Sequence, residues 1–239
     1  MTFNELYKVS PFGIVSSFFY GTIQSALFTL LAVYATSMNF TILEISIVTF
    51  LLAISGAIAQ FPIGKISDIY DRRKVIVAST FGAAIFALIT IFVSGQMYLP
   101  DGLATSKTWF YIFFILFSFC SLPMFSLILA HTNDYITKDK FVAAGAGLQF
   151  TFGLGAISGP FLCSIFMDLV GSNGFFVFLF FFHSLIGAFG IYRMRIRDSV
   201  ENPDSQFVAM PQTITPAGIE LNPTTEPIEE PIKDENKYI

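Results

Sequence analysis

The chain has 239 residues, is 54% hydrophobic and 13% charged, carries 30 Phe, and has a formal net charge of −4. A water-soluble domain of this size has too little interior to hide that much apolar surface, so most of it is expected to meet lipid. The acidic balance, gathered mainly at Glu220, Glu226, Glu229, Glu230, Asp234 and Glu235, excludes the basic footprint of nucleic-acid binding.

The apolar residues fall into six runs, each close to the ~20 residues that a helix needs to cross a hydrocarbon layer. The first, Pro11–Ala35, is too long and too polar at Gln24 for a cleaved signal peptide and has only Lys8 before it, so it is expected to stay in the mature protein. Helical spacing puts Ser17, Tyr20, Gln24 and Phe28 on one of its faces. Before the second run, Leu43–Ile63, Thr41 and Glu44 form a capping-box pattern, which makes Glu44 a cap more readily than a proton carrier. Gln60 lies near the exit of this run, as a gate or packing residue. Val75–Val93 follows as the third. The fourth, Trp109–His131, carries Ser118, Ser121 and Phe125 at helical spacing, and the fifth, Phe141–Met167, carries Gln149 within a glycine-rich stretch. The sixth is Phe175–Met194, with His183 inside it. Backbone N–H and C=O groups in hydrocarbon must be satisfied within their own segment, so each run is expected to be a helix, giving an all-α domain over residues 1–197. From Asp198 the composition turns to Pro, Glu, Thr and Asn, and residues 198–239 are expected to be a disordered acidic tail.

The thirteen Lys and Arg residues divide unevenly between the two sides of the implied membrane. Lys107 stands alone on one side. Lys8, Lys65, Arg72, Arg73, Lys74, Lys138, Lys140, Arg193, Arg195, Arg197 and the tail lysines fall on the other. Basic residues near span ends are retained in the cytoplasm, so both termini are expected inside. Cys120 and Cys163 lie within spans, where a thiol behaves as a small apolar group and gives no guide to redox compartment.

Between the second and third runs stands Gly64-Lys65-Ile66-Ser67-Asp68-Ile69-Tyr70-Asp71-Arg72-Arg73-Lys74. Gly64 allows close backbone approach, Asp68 can accept hydrogen bonds from a helix N-terminus or pair with Arg, and the basic cluster can reach acidic groups or lipid phosphates. A loop of this kind can latch one packing of helices. The segment resembles the signature loop of the major facilitator superfamily, roughly Gly-x-Leu-Ala-Asp-Arg-x-Gly-Arg-Arg/Lys. Gly64, Asp68, Arg72 and Arg73 match, Ile66 and Ser67 stand for Leu and Ala, and Ile69 and Asp71 depart from the Arg and the second Gly. In the fifth run Gly155, Gly159 and Pro160 resemble the Gly-x-x-x-Gly-Pro kink of the same superfamily. Together with the six-run layout, these features resemble the C-terminal six-helix half of a transporter of the bacterial YcaD-like branch.

That resemblance implies a secondary transporter built from two six-helix halves around a central cavity. This chain supplies one, so a second half, on another polypeptide or from a second copy, is the implied partner besides lipid and a small solute. The first and fourth helices of a half line the cavity, which makes Ser17, Tyr20, Gln24, Phe28, Ser118, Ser121 and Phe125, with Gln149, the candidate solute contacts. For each polar residue the competing role is a helix-to-helix hydrogen bond worth about 1 kcal/mol. Gly64, Asp68, Arg72 and Arg73 are the candidate latch; Gly155, Gly159 and Pro160 the candidate kink. No Asp, Glu, Lys or Arg lies in the middle of a run, so a titrating carboxylate, if protons drive transport, is expected from the other half. His131 and His183 lack metal-ligand spacing, and no Ser/His/Asp set or phosphate-cradling loop is found, so neither an enzyme nor a cofactor is expected. The rival readings are a non-transporting membrane scaffold and a decayed transporter fragment. With no organellar targeting segment, a bacterial inner membrane is the expected location.

Overall fold

A computed structural model describes residues 2–96, 103–197 and 207–210. Most of the 198–239 tail expected to be disordered therefore lies outside the described residues. The order is α1 (Phe3–Val9), α2 (Pro11–Ser37), α3 (Ile42–Ile69), α4 (Arg72–Gln96), α5 (Leu103–Ser121), α6 (Met124–Asn133), a 3-10 turn at Lys138–Lys140, α7 (Phe141–Val170) and α8 (Gly174–Ile196). Six segments are long and apolar enough to cross a membrane, with α5 and α6 together making the fourth. The sequence pattern did not anticipate α1, a short helix opened by a capping box between Thr2 and Glu5, whose Leu6 packs against Gly147 of α7.

Two departures from simple rods have local causes. The fourth span is broken at Leu122-Pro123, because Pro lacks the N–H that would continue the ladder and its ring excludes the carbonyl four residues earlier. The second span runs further than its apolar stretch: α3 contains Pro62 and continues through Gly64 and Asp68 to Ile69, where the Tyr70 N–H closes on the Ile66 carbonyl. What reads in sequence as a loop is therefore the last turn of α3, two residues, and the first turn of α4.

The helices pack around α2 on one side and α4 on the other. α2 lies against α7 and α8, α4 lies between α5 and α8, and α3 leans on α5. Where α2 meets α7 the backbones almost touch. A Cβ added at Gly21 would come 2.0 Å from the Phe152 carbonyl oxygen, one at Gly155 1.9 Å from that of Phe18, and one at Gly159 2.2 Å from that of Thr22. Small residues at such a seam let dispersion and interhelical hydrogen bonds hold helices that gain nothing from hydrophobicity in lipid. Thr22 Oγ1 donates to the Gly155 carbonyl across it at 3.2 Å. α3 and α7 take up flanking positions and bury a smaller share of their residues than the other spans do.

The ends are fastened separately. At one, Lys107 Nζ pairs with Glu44 Oε1 at 2.7 Å, and the Thr41–Glu44 capping box opens α3. Ser94 Oγ donates to Asn173 Oδ1 beside it, and Gly171, at φ 79°, ends α7. At the other, the basic end, α3, α4, α6 and α8 converge through arginines.

Gly155→Ala is expected to lower the thermal midpoint of the detergent-solubilised protein by an amount equivalent to about 1–3 kcal/mol, because its Cβ meets backbone that cannot turn aside. Gly153→Ala, whose Cβ would meet nothing within 4 Å, is expected to leave the midpoint unchanged or slightly raised.

Candidate functional site

The basic end carries the densest electrostatics in the chain. Arg72, Arg73 and Lys74 open α4, where the helix dipole disfavours cations, and three carboxylates offset this. Arg72 is 3% exposed and bridges two of them: Nη2 donates to Asp68 Oδ1 at 2.8 Å and Nη1 to Asp134 Oδ1 at 2.6 Å, with the Ala130 carbonyl 3.0 Å from Nη1. One guanidinium thus ties the end of α3 and the start of α4 to the end of α6. Asp71, the residue that departs from the family's Gly, accepts the Arg73 N–H at 3.0 Å in the manner of an N-cap. It also holds the Arg73 side chain by two bonds, Nε to Oδ1 at 3.1 Å and Nη2 to Oδ2 at 2.8 Å. Burial pushes the Asp71 carboxyl up, but the hydrogen bonds and charge of Arg73 outweigh it and hold the group below the usual carboxylate value. Arg73 Nη1 donates to the Arg197 carbonyl, and Arg197 donates to the Val9 carbonyl while lying 4.0 Å over the Tyr135 ring, so both ends of the chain's membrane domain join the cluster.

Asp134 escaped the sequence reading as a partner for Arg72. Its signal was a lone acid just after the fourth span, at the end richest in Lys and Arg. Gly64 lies in α3 beside Asp68, with the Ser67 hydroxyl donating to its carbonyl at 2.7 Å.

The candidate solute contacts are dispersed between interior and surface. Ser17 is fully buried and donates to the Leu148 carbonyl of α7 at 2.8 Å. Tyr20, also fully buried, donates its hydroxyl to the Leu122 carbonyl at 3.1 Å, at the break in the fourth span. Its ring and that of Phe125 both pack on Phe152, with centroids 6.1 and 5.5 Å away. Ser118 bonds back to the Phe114 carbonyl of its own helix. Ser121 Oγ lies 3.0 Å from His183 Nε2, an interhelical pair absent from the sequence reading, enclosed by Phe117 at 5.7 Å. Gln24 is buried on α2, Gln149 is half-buried on α7, and Phe28 is 54% exposed. The structure therefore brings Tyr20, Phe125, Ser121 and His183 to the broken fourth span, leaves Phe28 at the surface of α2 and keeps Gln149 half-buried on α7. Gly155 and Gly159 belong to the α2–α7 seam, with Pro160 inside α7 beside them. Among the described residues no three His, Cys, Asp or Glu side chains gather in a metal-binding group.

Arg72→Ala is expected to destabilise the protein by about 3–5 kcal/mol, since it removes the buried guanidinium that pairs with both Asp134 and Asp68. Thermal unfolding in detergent measures this, and the double variant Arg72→Met/Asp134→Leu is expected to unfold at a higher temperature than Arg72→Ala alone. By the same assay Tyr20→Phe is expected to cost about 1 kcal/mol, the worth of one interhelical hydrogen bond, with the ring packing kept.

Comparison with known proteins agrees with this architecture. Residues 13–225 match the model of the Major Facilitator Superfamily. The uncharacterized MFS-type transporter YfkF of Bacillus subtilis is 27% identical over 186 residues, 74% of this chain and 44% of the relative. The uncharacterized MFS-type transporter YE1530 of Yersinia enterocolitica is 25% identical over 198 residues, 83% of this chain and 47% of the relative. The uncharacterized MFS-type transporter MJ1560 of Methanocaldococcus jannaschii is 27% identical over 180 residues, covering 75% and 43%. The chain thus spans less than half the length of these relatives. No solved structure matches it significantly. With the family model covering most of its length and six apolar spans in place, the chain belongs to the Major Facilitator Superfamily.

Proposed function

We propose that this chain forms one six-helix half of a secondary transporter that moves a small solute by alternating access, rather than an enzyme, with the basic end in the cytoplasm. The observation that carries the reading is the pair of flanking helices. α3 and α7 keep Phe50, Ile58, Phe61, Phe150, Ile157 and Phe161 exposed along their lengths, so a second half has two continuous faces on which to pack. Inverted or parallel repeats that rock against each other around a central site are the general plan of such transporters. A separate chain or a second copy supplies that half. Phe28 offers surface to the solute directly, Gln149 is half-buried, and Ser17, Tyr20, Gln24, Ser118, Ser121 and Phe125 line the layer behind and come within reach as the helices tilt. The aromatic lining suits a small amphipathic or weakly polar solute. A bacterial inner membrane fits the basic-end orientation.

The finer assignment, to the C-terminal half and to the YcaD-like branch, rests on the signature-loop residues Gly64, Asp68, Arg72 and Arg73 and on the Gly155-Gly159-Pro160 pattern. Co-expression with each separated six-helix half of the Bacillus subtilis relative tests both levels, read by co-purification and light scattering in mild detergent. A one-to-one complex with the N-terminal half alone is expected. Pairing with the C-terminal half instead would overturn the half assignment, and a monomer that pairs with neither half would overturn the two-half reading.

A further inference from the structure

Beyond α8, residues 207–210 return to the bundle and make contacts that the transport reading does not use. They have no regular secondary structure and lie in a crevice between α3 and α6 at the basic end, bordered by Gln60, Phe61, Gly64 and Asp68. Three contacts define their seat. The Phe207 ring rests on Gly64 so closely that a Cβ there would come 2.2 Å from ring carbon Cδ1, and glycine is what makes the room. The Phe207 N–H donates to Asp68 Oδ1 at 2.8 Å, the same oxygen that accepts from Arg72. Met210 is 5% exposed, its N–H donates to Ser126 Oγ at 3.0 Å, and the Ser126 hydroxyl oxygen lies 3.2 Å from the Met210 carbonyl. One hydroxyl so serves both backbone groups of one residue, which is what an extended segment needs when it enters an apolar crevice.

We infer that Phe207–Met210 is a strap that the chain lays across its own α3–α6 crevice, with the Phe207 backbone N–H occupying the Asp68 carboxylate. The chemistry is that of a segment from elsewhere offering a backbone N–H to an acid, a bond that the N-terminus of an outside helix could equally make. Strap and outside helix would compete for this carboxylate and for the surface above Gly64, which the Phe207 ring covers. Docking of a second half at this end therefore requires the strap to leave, a consequence that rests on the two-half reading; the docking of the strap does not. The Ser126 contacts add register. A slide by one residue would put Ala209 or Pro211 in the Met210 position, and Pro has no N–H to donate.

Two measurements on the full chain in detergent test this; the substitutions that undo the strap sit in the tail, and the background changes at Cys120, Cys163 and Gln60 are common to both arms of the labelling comparison. In hydrogen exchange, the amides of Phe207 and Met210 are expected to exchange about tenfold more slowly than an unstructured chain, and the protection at Phe207 to vanish in Met210→Asp. In a Cys120→Ser/Cys163→Ser background, a Gln60→Cys thiol is expected to react with a membrane-impermeant maleimide about fivefold faster once Phe207→Gly and Met210→Asp are introduced. Exchange at the unstructured rate in the unaltered chain, or equal labelling rates with and without the tail substitutions, would overturn the strap. No second half enters either measurement, so their failure leaves the transporter reading standing, and a failed pairing experiment leaves the strap standing.

Discussion

A helix in lipid gains nothing by hiding apolar side chains from its surroundings, and this constraint decides how the six spans hold together. What remains is shape, hydrogen bonding and charge. The α2–α7 seam uses shape: Gly21, Gly155 and Gly159 bring backbone against backbone, and Ser17 and Thr22 add hydrogen bonds to carbonyls of the facing helix. α2 carries Ser16, Ser17, Thr22 and Gln24 on a buried surface alongside apolar residues such as Ile23, Leu27 and Leu31. On α8 glycine makes room for side chains instead, with Gly187 receiving the Phe81 ring and Gly190 receiving Val77 of α4 and Phe12 of α2.

Charge does the corresponding work at the basic end. Three consecutive basic residues at a helix start are unfavourable in isolation, so their presence there is informative. Asp71 caps the helix and neutralises Arg73, while Arg72 gathers Asp68 and Asp134 from two other helices. Because Asp134 follows α6 directly, the short segment after the Pro123 break is held to α3 and α4, whereas Lys107 near the start of α5 is held to the opposite end of α3 through Glu44. The fourth span is thus two pieces, each fastened at its own end, with Tyr20 covering a carbonyl at the join.

The six spans were legible because their apolar runs are long and backbone satisfaction in lipid leaves no alternative to helix. The capping role of Glu44 was legible from a three-residue spacing, and the capacity of Asp68 to pair with an arginine from the residues that follow it. What stayed hidden is what depends on which helices become neighbours. Asp134 reads as an ordinary acid until α6 ends beside α4, and the Ser121–His183 pair joins residues sixty-two apart. Pro123 was visible, yet its effect on the fourth helix was not drawn from it, since Pro62 and Pro160 sit inside unbroken helices. The candidate solute contacts illustrate the same limit. Helical spacing put Ser17, Tyr20, Gln24 and Phe28 on one face, but only the packing of α7 and of the break decides which are covered. In the tail, Phe207, Val208 and Met210 looked like scattered apolar residues and gain meaning only against Gly64 and Ser126.

The confinement of ionic groups to the two ends has an electrical corollary. Moving one elementary charge across a membrane potential changes its energy by about 2.3 kcal/mol per 100 mV. The spans carry no Asp, Glu, Lys or Arg along their middle stretches, and Lys107, the basic residue at the sparse end, is already neutralised by Glu44. A tilt of these helices that keeps both ends at their interfaces therefore displaces almost no charge through the field. The six spans are thus close to electrically silent: a membrane potential has little in them to act on.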